Sequence, residues 1–98
     1  MRLTAHVWWD PYLDAMIERA RDHVVGLHVS DWLVPTPHML LGRGMMGDGV
    51  IDVRGLRYAV DTTGYRGPIE VEIFNQALRD LPGDELLALL CTRYLACV

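Results

Sequence analysis

The run Val24-Val25-Gly26-Leu27-His28-Val29-Ser30 constrains the fold of this chain more than any other stretch. It is short, apolar and rich in β-branched residues, with charge before it and prolines after it, which is the pattern of a buried strand. Side chains alternate across a strand, so Val25, Leu27 and Val29 share one face while Gly26, His28 and Ser30 share the other. One face is made to be covered by helices; the other carries an imidazole and a hydroxyl. The segment after the run holds glycines at 42, 44, 47 and 49, with Arg43 and Asp48 among them. It is longer than an ordinary surface turn and free enough in its backbone to fold closely over a small anionic or polyhydroxy ligand. Function is therefore expected at the C-terminal end of this strand.

The same grammar recurs on either side. Leu3 to Trp9 reads as a strand, with Asp10-Pro11 stopping it and capping a helix. Tyr12 to Asp22 then carries Leu13, Met16, Ile17 and Ala20 at helical spacing, an amphipathic helix closed by His23. Asp52 is placed to cap a helix from Val53 to about Thr63, with Val53, Leu56, Ala59 and Val60 on its apolar stripe and Gly64 as its stop. The turn Gly64-Tyr65-Arg66-Gly67-Pro68 delivers a third strand, Ile69 to Phe74, in which Ile69, Val71 and Ile73 alternate with Glu70, Glu72 and Phe74. A second loop, Asn75 to Leu81, lies at the same sheet end, and Pro82-Gly83-Asp84 starts a last helix from Glu85 to about Ala96. Strands alternating with helices place the chain in the α/β class, as three consecutive βα units with parallel strands and helices on one face, in one domain over residues 1–98.

Three parallel strands make a thin sheet with two open edges, yet 51% of the 98 residues are hydrophobic. That is more apolar surface than so small a sheet buries, so self-association or a partner chain is expected to complete the fold, and assembly from three-stranded pieces does not close a regular eight-stranded barrel. The net charge is −4 and all nine basic residues are arginine, which argues against a nucleic-acid partner. Cys91 and Cys97, six apart on a helix, point to different sides and form neither a disulfide nor a metal pair; a cytoplasmic location is expected. No secretory signal is evident, and no apolar run approaches the ~20 residues of a membrane span, so no membrane partner is expected.

The ordered motifs His6-Val7-Trp8-Trp9-Asp10-Pro11, His28-Val29-Ser30-Asp31-Trp32, Arg43 with Gly47-Asp48-Gly49-Val50-Ile51-Asp52, and Gly64 to Phe74 cover nearly the whole chain. In that order and spacing the sequence resembles the sugar phosphate isomerase/epimerase group with a xylose isomerase-like (β/α)₈ TIM barrel, and looks like the C-terminal portion of one, a partial barrel. The resemblance implies a divalent metal (Mn²⁺, Mg²⁺, Co²⁺ or Zn²⁺) at the barrel mouth and proton transfer beside a substrate carbonyl through an enediolate. It implies that His28 and Glu72 are metal ligands, that Glu72 is also the catalytic acid/base, and that His6 and Arg43 contact oxygens of a small sugar or sugar phosphate. Hard carboxylate oxygens with one imidazole suit those cations. Two departures stand beside the matches. Leu3 occupies the position where the family usually has an aspartate ligand, and the 98 residues contain no strand supplying the family's further glutamate.

Trp8, with Trp9 and Trp32, is a candidate wall for sugar stacking, the alternative being core packing. Arg43 either binds substrate phosphate or hydroxyls or lies in a surface ion pair, and Glu70 reads as a structural polar partner. Two functions follow. Either the chain is part of an isomerase or epimerase whose chemistry needs the complete barrel, and is expected to be inactive alone and to hold no metal of its own; or it is a non-catalytic remnant or interaction module that packs on a partner chain. A phosphodiester-cleaving relative on the same barrel type fits the acidic balance poorly.

Overall fold

The computed structural model describes all 98 residues, and its elements run β1 (Arg2–Thr4), α1 (Leu13–Ala20), β2 (Gly26–Val29), β3 (Asp31–Trp32), β4 (Arg43–Gly44), α2 (Val53–Thr62), β5 (Ile69–Val71), α3 (Gln76–Arg79) and α4 (Gly83–Cys97). Three of the strands form one parallel sheet in the order β1-β2-β5. The register aligns Leu3, Leu27 and Ile69 in one row and Thr4, His28 and Glu70 in the next. Because neighbouring rows face opposite sides, the first row turns toward the helices and the second toward the other face. The sheet is open, as a partial barrel requires, and no helix is long and apolar enough to cross a membrane.

The core forms on the helix side, where Leu3, Leu27 and Val29 meet Ile17 of α1 and Val53, Leu56 and Val60 of α2, all buried. The α1 and α2 stripes are those the 3.6-residue spacing marks out. Asp52 caps α2, its Oδ1 accepting from Gly55 N at 3.0 Å, and Gly64 stops the helix with φ +92°, a left-handed turn that glycine adopts without strain. The helix before β2 begins later than expected: Asp10 Oδ1 accepts from Tyr12 N at 2.8 Å, and the regular turns start at Leu13.

Two expectations for the sheet are corrected. The first strand stops at Thr4, because Ala5–Val7 closes a 3₁₀ turn with Trp8 N bonded to Ala5 O at 3.1 Å and Ala5 buried beneath it. Local turn bonds thereby override the β preference of Val7-Trp8-Trp9. Val25, expected among the helix-facing residues, is 62% exposed; it lies before β2, its N–H bonded to Met1 O.

The long segment after β2 is ordered by one buried carboxylate. Asp31 Oδ1 accepts from Trp32 N at 2.8 Å and Ile51 N at 2.9 Å, and Oδ2 accepts from Gly47 N at 3.0 Å and Gly49 N at 2.9 Å. A carboxylate that is 1% exposed is costly to desolvate, and four charge-assisted bonds offset that cost. Position 49 must be glycine, since a Cβ there would collide with Trp32 O and the Asp31 carboxylate. The same carboxylate lets β3 and β4 pair antiparallel, Trp32 opposite Arg43.

Asp31→Asn leaves at least one backbone N–H facing an amide NH₂ group and is expected to lower stability by at least about 3 kcal/mol. Urea unfolding of the two proteins measures this, and an unchanged midpoint would contradict the role given to Asp31.

Candidate functional site

Strand alternation gathers the polar side chains at the C-terminal ends of β2 and β5. His28 Nδ1 lies 2.6 Å from Glu72 Oε2, and His28 Nε2 lies 3.2 Å from Glu70 Oε2. The imidazole is only 17% exposed, while the two carboxylates are about half exposed, at 53% and 44%, so the pair opens to solvent on its acidic side. Glu72 arrives there because its N–H continues the β5 ladder onto Val29 O at 3.1 Å, one residue past the strand.

His6 reaches the same face from the 3₁₀ turn after β1. Its Nε2 is 3.1 Å from the buried Ser30 Oγ. Burial first, and then the Arg43 cation, hold the His6 imidazole below its ordinary 6.5, with Glu72 acting in the opposite sense. His6 is thus biased toward its neutral form.

Arg43 is delivered by β4. Its N–H bonds Phe74 O at 3.0 Å and its carbonyl accepts from Asn75 Nδ2 at 2.8 Å, so its backbone is tied to the end of β5. The guanidinium stacks over Trp32 at 4.6 Å from the ring centroid, and its Nε is buried with no acceptor in the chain. Both glutamates turn to His28, which leaves Arg43 without a counter-ion. Asn75 also caps α3 through Leu78 N.

Of the residues singled out from sequence, His28, Glu72, His6 and Arg43 come together. Trp8 does not: it lines a separate cleft of about 380 Å³ with Asp10, Asp14, Asp52 and Leu56, between the 3₁₀ turn, α1 and the start of α2. Ser30, expected on the face of His28, and Glu70, expected as a structural polar partner, both stand at the site, Glu70 against His28 Nε2. Asp31 went unread, although it is an acid at the mouth of a glycine-rich loop. Asn75 had no signal beyond its capping type.

The donor set does not fit a resident cation. No group of three or more His, Cys, Asp or Glu side chains is arranged to hold a metal ion; His28 Nδ1 is already engaged by Glu72, and its buried Nε2, 3.2 Å from Glu70, makes no hydrogen bond. At the remaining family position Leu3 is packed into the core at 4% exposure. Even an open catalytic zinc site keeps three protein ligands.

Comparison with known proteins bears on the fold. The family model for the xylose isomerase-like TIM barrel matches residues 4–91. The chain belongs to that family. A crystal structure of protein SMc04130 from Sinorhizobium meliloti 1021 is similar to it, with 42% identity and a TM-score of 0.91 over 99% of this chain. The chain covers 37% of that protein's length. No curated protein matches the sequence.

Because the folded imidazole of His6 is depressed below 6.5, the unfolded chain takes up that proton first. The stability linked to His6 is full above 6.5 and is lost as pH falls from there through the folded value. An NMR titration should place the His6 midpoint below 6.5, and His6→Gln should flatten the fall in melting temperature on acidification. A midpoint at or above 6.5 would contradict this account.

Proposed function

We propose that this chain carries the acid/base end of a sugar phosphate isomerase/epimerase-type site whose chemistry needs further strand–helix units of the barrel. The observation that carries the reading is the 2.6 Å contact between His28 Nδ1 and Glu72 Oε2 at the C-terminal ends of adjacent parallel strands. His28 fixes one carboxylate oxygen, and Glu72 Oε1 has no partner in the chain. That oxygen is the group to take a proton from the carbon beside a substrate carbonyl and return it to the enediolate. On this reading the unpaired Arg43 guanidinium and His6 contact the oxygens of a small sugar or sugar phosphate. The divalent cation of the family's chemistry would require donors beyond those of this chain, and no step is assigned to it.

Leu3 favours a second reading. A buried leucine at the ligand position is a packing residue, which suits a non-catalytic module that keeps the barrel unit for its surfaces. Both readings agree that the 98-residue chain alone does not turn over substrate.

The test is exchange of deuterium from D₂O into ketoses and ketose phosphates at the carbon beside the carbonyl. The chain alone should give none. Co-expressed with a polypeptide carrying the remaining strand–helix units of the Sinorhizobium protein, it should exchange, and Glu72→Gln should slow that exchange by about 10²–10⁴-fold. Exchange that ignores Glu72→Gln would remove Glu72 as the base, and no exchange in the reconstituted barrel would favour the non-catalytic module.

A further inference from the structure

Hydrogen placement at the His6–Ser30 contact has one solution that leaves no buried donor unpaired. Ser30 stands one residue past β2 and is 1% exposed. Its Oγ lies 3.1 Å from His6 Nε2 and has no other hydrogen-bond partner in the chain. The burial comes from this chain's own residues, so strands added elsewhere in the barrel do not reach the hydroxyl.

A serine hydroxyl carries one proton and two lone pairs, and a neutral imidazole has one nitrogen that donates and one that accepts. If His6 donated through an Nε2–H, the hydroxyl proton would stay inside the protein with no acceptor, at the full cost of an unmade bond. If the hydroxyl donates to Nε2, its proton is used and only spare acceptor capacity is left, which is the smaller shortfall. The imidazolium, in which both nitrogens donate, is disfavoured too, because burial and then the Arg43 cation hold His6 below its ordinary 6.5. In a neutral histidine the bond made by one ring nitrogen decides which nitrogen carries the proton.

We propose that Ser30 is a positioning residue: its hydroxyl donates to His6 Nε2 and fixes the ring as the Nδ1–H tautomer, so that His6 offers the site a donor and not an acceptor. This role rests on the reading of His6 as a contact to substrate oxygen, and it says what kind of oxygen. Nδ1–H meets one that accepts: a carbonyl oxygen, or the enediolate oxygen it becomes as Glu72 takes the neighbouring proton. Arg43 also carries donors alone, so the two side chains suit the same oxygens. With its Nε2 lone pair taken by Ser30, His6 does not act as a base, and that task stays with Glu72.

Long-range proton–nitrogen correlation NMR of the 98-residue chain above pH 6.5 reads the tautomer directly, because a protonated ring nitrogen and a bare one resonate far apart. Nδ1 should appear as the protonated nitrogen and Nε2 as the bare one. Ser30→Ala removes the donor and should let the proton move onto Nε2, and Ser30→Thr, which keeps a hydroxyl, should restore the Nδ1–H form; circular dichroism checks each fold. A serine that only packs would change the melting temperature in Ser30→Ala without exchanging the two nitrogen signals, and that result would overturn the proposal. So would a protonated Nε2 in the unmodified chain, a measurement that needs no variant. None of these readouts involves turnover. Absence of deuterium exchange in the reconstituted barrel would remove the isomerase reading and leave the tautomer standing, whereas the wrong tautomer would remove the role of Ser30 and leave Glu72 to be judged by exchange.

Discussion

The carboxylate of Asp31 is the interaction on which the rest of the molecule depends. A glycine-rich segment has the largest conformational entropy to lose, and burial of Met45 and Met46 offsets only part of that loss. Four backbone N–H groups converging on one buried anion offset more of it, and they work from inside the protein, where a low dielectric strengthens each bond. The consequences reach in two directions. Toward the helices, the closed loop tucks Met45, Met46 and Ile51 into the core and sets Asp52 to begin α2. Toward the site, it holds β3 against β4 and so brings Arg43 over Trp32. Arg93 of α4 adds an outer tie, reaching Met46 O at 3.0 Å and Asp48 at 2.6 Å.

Much of this was legible in the sequence because it follows from periodicity. The parity of Leu27 and Val29 against His28, and of Val71 against Glu72, is a property of any strand, and it survived intact. The apolar spacing and caps of α2 are equally local: Asp52 and Gly64 each act within one helical turn. What the sequence did not disclose depends on partners far along the chain. The end of β1 at Thr4 is set by the burial of Ala5, and Val25 is exposed because β2 begins only at Gly26, so the run from Val24 reads two residues too long at its start. Trp8 left the site for the same reason, since the 3₁₀ turn redirects a side chain that an extended strand would have aimed elsewhere.

The candidate site divides in the same way. His28 and Glu72 could be put on one face from sequence because His28 lies in β2 and Glu72 continues the alternation of β5 one residue past its end. Arg43 could be named from its motif, but its geometry could not, since Phe74 O, Asn75 and Trp32 fix it across gaps of 11 to 32 residues. Asp31 was hidden by a different circumstance. An acid at a strand end reads as a turn or capping residue, and only the fold shows that its acceptors serve a loop up to 20 residues away.

Any strand added beside β1 or β5 delivers its residues in alternation, apolar ones to the helix layer and polar ones to the face of His28, so covering the core and extending the site happen together. Within the chain that alternation already sends Leu3 of β1 to the core, so the row of His28 receives only Thr4 from β1, a hydroxyl and no carboxylate. Further acidic donors for the His28–Glu72 pair therefore come only from strands of different sequence.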